Sequence, residues 1–311
     1  MSKGKLLITC RLADVLPREC AAHGYDVVSR PGISRDDLLH EVRDAVGLVV
    51  RSKASVDIQV LDAAKQLKFI GRLGSGMEHI AVEEAERRGI RCLNSPEGNS
   101  PSVAEHSISL MISLLKGIHS SDRAIRRGQW IRDDQAGRDL SEQTVGIIGY
   151  GNTGSRVASR LQAFGCRVLV YDKYKKDLGG TFPEESSLDA LIDATDVLSI
   201  HLPLNEETKY MVNRSFLSKF KKPIYLINTS RGGIVKTQDL LEAIAEGRIS
   251  GAALDVFENE PLSADGCKED IWYKELIGNE KVILTAHIAG VTKDAFHRMA
   301  SVLSQKIQDF L

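Results

Sequence analysis

The stretch TVGIIGYGNTG, residues 144–154, decides the fold. Its first seven residues, TVGIIGY, have the β-branched and apolar character of a buried strand. Glycines follow at the spacing G-x-G-x-x-G, and the next stretch, SRVASRLQAFG, has the period of a helix. A glycine turn that joins a strand to a helix is typical of a strand–helix–strand unit, in which the two strands are parallel.

Short apolar runs alternate with helical patterns on both sides of this turn, which predicts an α/β fold with parallel sheets. The helical stretches include SRDDLLHEVRDA at 34–45. Six strands are predicted from Thr144 onward, at 144–150, 166–172, 196–203, 223–230, 251–257 and 282–287. Five strands are predicted before it, at 6–11, 26–30, 47–52, 68–74 and 91–95.

A long apolar segment, GNSPSVAEHSISLMISLLKGIH, separates the two sets of strands. Ser102 and Glu105 form a capping box, and the residues after them predict a buried helix over 102–119, which we expect to link two domains and to contact a second subunit. The tail from residue 293 to 311 has a helical period and is too short to form a domain, so we expect it to pack on the first one. The predicted domains are therefore 101–287, and a discontinuous domain formed by 1–100 and 288–311.

Composition narrows the classes of function. The net charge of -1 provides no basic surface for nucleic acid or an anionic membrane, and the apolar runs are too short to span a membrane. The five cysteines and eight histidines show no metal-ligand spacing, so no metal site is predicted. An odd number of cysteines, without an apolar signal stretch near the N-terminus, predicts a reducing, cytoplasmic location.

The strand and helix around the glycines turn a weak motif into a dinucleotide-binding fingerprint. Gly149 is expected to make the turn, Gly151 to let the backbone approach a pyrophosphate, and Gly154 to let the helix pack on the strand. The helix N-terminus favours an anion, so Asn152 and Thr153 are predicted to lie beside the pyrophosphate. The alternative is a tight turn that binds no ligand.

Asp172 ends the second strand of this unit, eighteen residues after Gly154. Its carboxylate is expected to accept hydrogen bonds from the adenosine ribose and to repel a 2′-phosphate, which favours NAD over NADP. Three lysines follow in DKYKK, at positions 173, 175 and 176. In the simplest interpretation they form a solvated loop, but one of them turned inward would offset the repulsion.

Polar side chains follow three further strands at the carboxyl edge of this sheet, where ligands bind. Arg231, in INTSRGGIV, can hold a carboxylate through two parallel hydrogen bonds, and the next two glycines are expected to let the chain turn sharply and to keep the approach open. LDVFENEP places Asp255 and Glu260 after the fifth strand, and LTAHIAG places His287 at the end of the sixth. Together these residues suit hydride transfer to a 2-oxo acid, with histidine as acid and base. Taken singly, each residue has another interpretation: Arg231 as a turn cation, Glu260 as a loop charge and His287 as a core histidine.

The motifs GYGNTG, HLPL, NTSRGGIV, LDVFENEP and HIAG occur in this order, and nearly the whole chain resembles the NAD-dependent D-2-hydroxyacid dehydrogenases. The resemblance implies a Rossmann-type, doubly wound NAD-binding domain hinged to a smaller, flavodoxin-like α/β substrate domain, usually as a homodimer. It implies that Arg231 anchors the substrate carboxylate, that Glu260 orients His287, and that His287 is the acid/base. The other cofactor contacts that it implies are His201, Leu202 and Pro203 along the cofactor, Thr229 and Ser230 near the nicotinamide ribose, and Asp255 at the carboxamide.

Within the family, VVRSK (49–53) and GRLGSGMEHI (71–80) resemble the substrate loops of D-3-phosphoglycerate dehydrogenases. Independently, Arg51, Lys53 and Arg72 lie at or after strand ends and supply the cations that a substrate phosphate needs. The alternative is that Arg51 and Lys53 are surface charges. The predicted substrate-binding residues are Arg51, Ser52, Lys53, Arg72, Ser75 and Gly76, together with Arg231 and His287.

These observations predict an enzyme that interconverts 3-phospho-D-glycerate and 3-phosphohydroxypyruvate with NAD, as in L-serine biosynthesis. A glyoxylate or hydroxypyruvate reductase, or another D-2-hydroxyacid dehydrogenase, would keep the fold and catalytic residues with a different substrate. A non-catalytic NAD-sensing partner protein is an alternative from a different class, and the intact Arg231, Glu260 and His287 argue against it. Ala286 stands where proline commonly precedes the catalytic histidine of the family, which leaves substrate preference open.

Overall fold

The computed structural model describes residues 2–51, 54–132, 136–178, 181–260 and 271–310. The chain divides into two compact units. Unit 1 comprises Met1–Pro101 and Val291–Leu311, and unit 2 comprises Ser102–Gly290. Each unit is built around its own parallel sheet, as the alternation of strands and helices predicts.

Unit 1 begins with five strands that alternate with four helices. The strands are β1 (Gly4–Ile8), β2 (Tyr25–Ser29), β3 (Ala45–Val50), β4 (Phe69–Arg72) and β5 (Arg91–Asn94). The helices are α1 (Val15–Ala22), α2 (Arg35–Glu41), α3 (Ile58–Ala63) and α4 (Val82–Arg87). All strand pairs are parallel, in the order β2-β1-β3-β4-β5, which is the flavodoxin-like order. The predicted fold class of this part is therefore confirmed.

The sheet of unit 1 is buried on both faces, which explains its continuous apolar strands. Alternate side chains of β1 and β3 belong to two different cores: Leu7 and Leu48 pack on one face, and Ile8 and Val49 on the other. Every residue of β3 is buried. The two faces therefore need helices on both sides.

Unit 2 contains a seven-stranded sheet. Its strands are β6 (Thr144–Ile148), β7 (Arg167–Tyr171), β8 (Glu184–Glu185), β9 (Val197–Ile200), β10 (Ile224–Asn228), β11 (Ile249–Leu254) and β12 (Val282–Leu284). The helices along this part of the chain are α5 (Pro96–Leu115), α6 (Ile118–Arg126), α7 (Asn152–Leu161), α8 (Leu188–Ala194), α9 (Arg214–Leu217), α10 (Thr237–Ala245) and α11 (Ile271–Gly278). The order β12-β11-β10-β9-β6-β7-β8 is all parallel and doubly wound, with the switch of direction at β6. The predicted Rossmann-type fold is confirmed.

The predicted helix over 102–119 is wrong at both ends. The helix α5 begins at Pro96, so Ser102 lies inside it and the capping box does not mark its start. Pro101 lacks the N–H that would bond to the carbonyl of Glu97, and the hydroxyl of Ser100 donates to that oxygen instead, at 3.3 Å. At the other end Gly117, with φ of 63°, breaks the helix before α6.

The C-terminal helix α12 (Lys293–Asp309) packs within unit 1, as predicted. Its buried residues share one apolar core with β1 and α1: Ala295, Met299, Ala300, Leu303 and Ile307. Among the described residues, no helix combines the length and the apolar character that a membrane span requires.

Candidate cofactor and catalytic site

The turn after β6 can be built only with glycine at two positions. Gly149 has φ of 94°, and a Cβ there would lie 2.3 Å from the carbonyl oxygen of His201. A Cβ on Gly154 would lie 1.9 Å from the carbonyl oxygen of Gly149, so its absence lets α7 pack on the turn. At Gly151 a Cβ would meet no atom within 4 Å. The open space at the start of α7 therefore fits the close approach of a pyrophosphate.

A cavity of about 370 Å³ lies beside this turn. Asn152 and Thr153, predicted to lie beside the pyrophosphate, are the first two residues of α7. The described residues that line the cavity are Tyr150, Gly151, Asn152, Ser155, Lys175 and Leu178. The cavity thus lies where the adenosine half of a dinucleotide would follow the pyrophosphate along the sheet edge.

Asp172 joins the glycine turn to the loop after β7 through backbone hydrogen bonds to its carboxylate. Its Oδ2 accepts from the N–H of Tyr150 at 2.7 Å, and its Oδ1 accepts from the N–H groups of Tyr174 and Lys175 at 2.9 and 3.0 Å. Burial acts to raise the pKa of Asp172, but the three N–H donors and the charge of Lys175 outweigh it, and the pKa lies below the ordinary value. The carboxylate is therefore ionised at neutral pH and faces the glycine turn.

His201 follows β9, at the position where the family resemblance implies a cofactor contact. Burial lowers the pKa of His201 to about 4, so the imidazole is neutral at physiological pH. Its Nε2 lies 2.9 Å from the hydroxyl of Ser199, and its backbone N–H donates to Ile148. Leu202 and Pro203 continue this loop, and Leu202 Cδ2 would lie 3.0 Å from a Cβ on Gly149. The loop therefore lies against the glycine turn, and its His201 is unsuited to donate a proton.

The loop after β10 carries Arg231 and is fixed by Asn228, a residue that the sequence patterns do not single out. Asn228 is fully buried. Its Oδ1 accepts from the N–H and the hydroxyl of Ser230 at 3.1 and 2.7 Å, and its Nδ2 donates to the carbonyl of Arg231 at 3.0 Å. Thr229 is buried with its hydroxyl 2.8 Å from that of Ser107. These bonds set the direction in which the Arg231 side chain leaves the sheet.

The chain turns sharply after Arg231, in the single 3₁₀ turn Gly232–Ile234, but neither glycine has a positive φ. A Cβ on Gly232 would lie 1.8 Å from the carbonyl oxygen of Phe257 and 2.6 Å from the nitrogen of Glu258. A Cβ on Gly233 would meet only the side chain of Leu204, at 3.2 Å. Gly232 therefore lets the loop after β10 lie directly against the loop after β11.

Glu260 and His287 form an ion pair across two of these loops. The Oε2 of Glu260 lies 2.6 Å from Nδ1 of His287, and its Oε1 accepts from the backbone N–H of Phe257 at 2.8 Å. The His287 side chain is 51% exposed and that of Glu260 30% exposed, so this carboxyl group is fixed while the imidazole stays accessible. His287 has φ of 52°, a left-handed conformation that non-glycine residues rarely adopt and that is often found at functional sites.

Asp255 holds the unusual backbone around His287. This carboxylate has no exposed surface, and it accepts from the N–H groups of Ile288 and Ala289, both at 2.9 Å, and from the hydroxyl of Thr285 at 2.6 Å. The Nε2 of His106 on α5 lies 3.2 Å from the same hydroxyl. The contacts of Asp255 thus belong to the histidine loop, and its contact with a carboxamide stays a prediction.

The pKa of His287 is shifted in the direction opposite to that of His201. The hydrogen bond with Glu260 raises the pKa of His287 above its ordinary value, against the opposing effect of burial; the charges of Glu260 and Asp255 add to the rise. The charge of Arg231, whose loop lies against the loop after β11 at Gly232, acts in the opposite direction. The structure therefore brings an arginine, a carboxylate and a protonatable histidine together within unit 2.

Two of the predicted substrate residues of unit 1, Arg51 and Arg72, lie at the carboxyl ends of the neighbouring strands β3 and β4. The Arg51 guanidinium lies 4.3 Å from the ring centre of Phe296. Burial raises the pKa of the Cys10 thiol to about 11, while the charges of Arg51 and Arg72 oppose this rise, so both cations lie near Cys10. Ser52 and Lys53 lie outside the described residues.

The segment after β4 is shaped by Gly74, which precedes the predicted Ser75 and Gly76. Gly74 has φ of 140°, and a Cβ there would lie 1.3 Å from Nη1 of Arg72. The Arg72 guanidinium donates to the carbonyl of Leu73, and the carbonyl of Ser75 accepts from the Asn94 side chain at 2.8 Å. Asn94 is a further supporting residue that the sequence patterns do not single out.

Comparison with known proteins agrees with this geometry. Residues 108–289 match the family described as "D-isomer specific 2-hydroxyacid dehydrogenase, NAD binding domain". The chain is 36% identical to D-3-phosphoglycerate dehydrogenase of Archaeoglobus fulgidus over 92% of its own length, but it spans only 53% of that protein. It is 34% identical to hydroxypyruvate reductase of Thermotoga maritima, over 90% of this chain and 89% of that protein.

A solved structure of D-lactate dehydrogenase from Aquifex aeolicus, complexed with NAD and lactic acid, has the same fold. It is 30% identical, with a TM-score of 0.83, and the match covers 98% of this chain and 95% of that one. The predicted family and the predicted cofactor, NAD, are confirmed. The chain belongs to the D-isomer specific 2-hydroxyacid dehydrogenases, and its unit 2 carries the NAD-binding domain of that family.

Proposed function

We propose that this chain reduces 2-oxo acids to D-2-hydroxy acids and catalyses the reverse oxidation, with 3-phosphohydroxypyruvate and 3-phospho-D-glycerate as its substrate pair. The observation that carries the reaction type is the 2.6 Å contact between Glu260 and His287, with Arg231 on a loop that lies directly against the loop of Glu260. An accessible, protonatable histidine beside an arginine fork supplies both a proton and a carboxylate anchor.

The protein residues divide the work of the reduction between them. Arg231 binds the substrate carboxylate through its two parallel N–H groups and polarises the neighbouring carbonyl. Glu260 accepts from Nδ1 of His287, which leaves Nε2 to donate a proton to the carbonyl oxygen as the carbonyl carbon is reduced. When bound, the reduced nicotinamide supplies the hydride. In the oxidation, His287 takes the proton back from the hydroxyl group.

The phosphorylated substrate is proposed on the cations of unit 1. Arg72 ends β4 and is in register with Val50, the last residue of β3, so Arg51 and Arg72 lie at the same edge of the sheet of unit 1. Stacking on Phe296 also holds Arg51 in place without neutralising its charge. Paired arginines of this kind bind a phosphate through charge-assisted hydrogen bonds.

A hydroxypyruvate or glyoxylate reductase is the second candidate, and one observation favours it. The chain is 34% identical to the hydroxypyruvate reductase of Thermotoga maritima over 90% of its own length, close to its 36% identity over 92% with the phosphoglycerate dehydrogenase of Archaeoglobus fulgidus. Both candidates use the same reaction and differ only in the group at the far end of the substrate.

The two candidates are separated by NADH oxidation with 3-phosphohydroxypyruvate, hydroxypyruvate and glyoxylate. We expect kcat/KM to be highest for the phosphorylated acid, and we expect Arg51→Gln to reduce that preference by about tenfold, the effect of one charge-assisted hydrogen bond. Arg87→Gln, which removes a cation paired with Glu84 on α4, is the matched control and should change nothing. Equal kcat/KM values for phosphorylated and unphosphorylated acids in the unmodified protein would favour the reductase.

The cellular setting is part of the same proposal. A phosphoglycerate dehydrogenase would act in L-serine biosynthesis in the cytoplasm, and we propose that it does so as a homodimer, to be tested by light scattering of the purified protein. A non-catalytic NAD-sensing protein is the remaining alternative. It would bind NADH but reduce no acid in a broad panel of short 2-oxo acids.

A further inference from the structure

The cavity beside the glycine turn is lined by a cation, Lys175, although the sequence predicts that the carboxylate of Asp172 dominates this end of the cofactor site. Lys175 is the one charged residue among the described residues that line it, and the side chain of Asp172 is not part of the lining. The Nζ of Lys175 donates to the carbonyl of Tyr150, at 3.0 Å, within the turn itself. A cation is therefore held at the place where the adenosine half of a dinucleotide is expected.

The three lysines that follow Asp172 differ in what they contact. Lys173 pairs with Glu207 at 2.6 Å, and Nζ of Lys176 donates to the backbone carbonyl of Asp172 at 3.0 Å. Lys175 alone among the three lines the cavity. An ammonium group has three N–H donors, and the bond to Tyr150 uses one of them. Two remain for the oxygens of a ligand.

The environment of Asp172 weakens its ability to repel a 2′-phosphate. Its carboxylate already accepts three backbone hydrogen bonds, from Tyr150, Tyr174 and Lys175. A carboxylate has about four acceptor sites, so roughly one remains for a ribose hydroxyl. The three N–H dipoles and the Lys175 ammonium also offset its negative charge, as the lowered pKa of Asp172 reflects.

We propose that Lys175 allows this cavity to accept a phosphate on the 2′ oxygen of the adenosine ribose, so that the chain binds NADP(H) as well as NAD(H). Asp172 and Lys175 then act as opposing determinants: the carboxylate favours the free hydroxyl, and the ammonium favours the phosphate. This inference concerns cofactor binding in unit 2 and holds for any 2-oxo acid substrate.

The test is a fluorescence titration of the full-length protein with NADH and with NADPH, without substrate. The ratio of the two dissociation constants is compared between the unmodified protein and Lys175→Met, which removes the charge and keeps the length of the side chain. We expect NADPH to bind the unmodified protein within about tenfold of NADH, and Lys175→Met to weaken NADPH binding by about tenfold more than NADH binding.

Lys173→Met is the matched control on the same loop, because Lys173 pairs with Glu207 and does not line the cavity. It should leave both dissociation constants unchanged. If Lys175→Met weakens NADH and NADPH equally, or changes neither, Lys175 only supports the glycine turn and the proposal is overturned. Because no turnover is measured, failure here is separate from failure of the proposed reaction.

Discussion

Gly232 offers the sharpest test of how the active-site loops are assembled. In Gly232→Ala the new Cβ would lie 1.8 Å from the carbonyl oxygen of Phe257, 1.9 Å from its carbonyl carbon, and 2.6 Å from the nitrogen of Glu258. All three atoms are backbone, so no side chain can rotate away. The loop after β10, which carries Arg231, must separate from the loop after β11, which carries Glu260.

The size of the effect follows from this clash. Restoring a contact of about 3.0 Å requires a shift of about 1.2 Å between the two loops, and a misplacement of about 1 Å typically costs about 100-fold in rate. Overpacking of this kind also lowers the free energy of unfolding by about 1–3 kcal/mol. We therefore expect kcat/KM for 2-oxo acid reduction to fall about 100-fold, whereas NADH affinity should fall less, because the predicted pyrophosphate contacts at the glycine turn are unchanged.

Gly233→Ala is the matched control. Its Cβ would meet only the flexible side chain of Leu204, at 3.2 Å, so we expect kcat/KM within about threefold of the unmodified protein. The assay is steady-state NADH oxidation, with unfolding in urea measured in parallel. Near-normal turnover in Gly232→Ala, or equal losses in both variants, would refute the argument that close contact between these loops positions the catalytic groups.

Three other changes test individual residues. Glu260 raises the pKa of His287, and the proposed reduction needs the protonated imidazole. In Glu260→Gln, the fall of kcat/KM for reduction at high pH should therefore begin at a lower pH. An unchanged pH profile would contradict the pairing of Glu260 with His287. Asn228→Ala removes three buried side-chain hydrogen bonds, so it should raise KM for the oxo acid and lower the free energy of unfolding by about 1–3 kcal/mol. A loss of stability without a change in KM would make the role of Asn228 purely structural. Arg231→Lys keeps the charge but loses the fork, so kcat/KM should fall about 100-fold or more with NADH affinity retained, and near-normal turnover would make Arg231 an ordinary turn cation.

Much of the fold could be predicted because the patterns that indicate its strands, helices and glycine turn each lie within a short stretch of sequence. The glycine spacing at 149–154 follows a buried strand and precedes a helix, and the two-sided burial of each sheet gives continuous apolar runs. The sequence does not predict the strand β8, because its two residues, Glu184 and Glu185, are exposed at the sheet edge and have no apolar pattern.

The largest errors lie at the carboxyl ends of the strands. The predicted strand 282–287 ends at Leu284, and 223–230 ends at Asn228. The surplus residues have strand-like character, but they form the loops that bear Thr229, Ser230 and His287. Their backbone is fixed by the buried side chains of Asn228 and Asp255, and those contacts join residues far apart in sequence. Local patterns could not predict them.

The start of α5 shows a similar limit. Ser102 and Glu105 have the residue types of a capping box, and a proline directly before them favours a boundary. The helix nevertheless begins at Pro96, because the Ser100 hydroxyl occupies the carbonyl that Pro101 cannot reach. The assignment of unit 1 to substrate binding depends on Arg51 and Arg72 and stays a prediction.

The most direct measurement is NADH oxidation with 3-phosphohydroxypyruvate by the unmodified protein and by His287→Asn, with NADH affinity measured by fluorescence in both. We expect turnover in the unmodified protein, and in the variant a fall in kcat of about 100- to 10,000-fold, the usual contribution of a general acid, with NADH affinity kept. No reduction of any short 2-oxo acid by the unmodified protein, or full activity in His287→Asn, would contradict the assignment of His287 as the acid of a 2-hydroxyacid dehydrogenase.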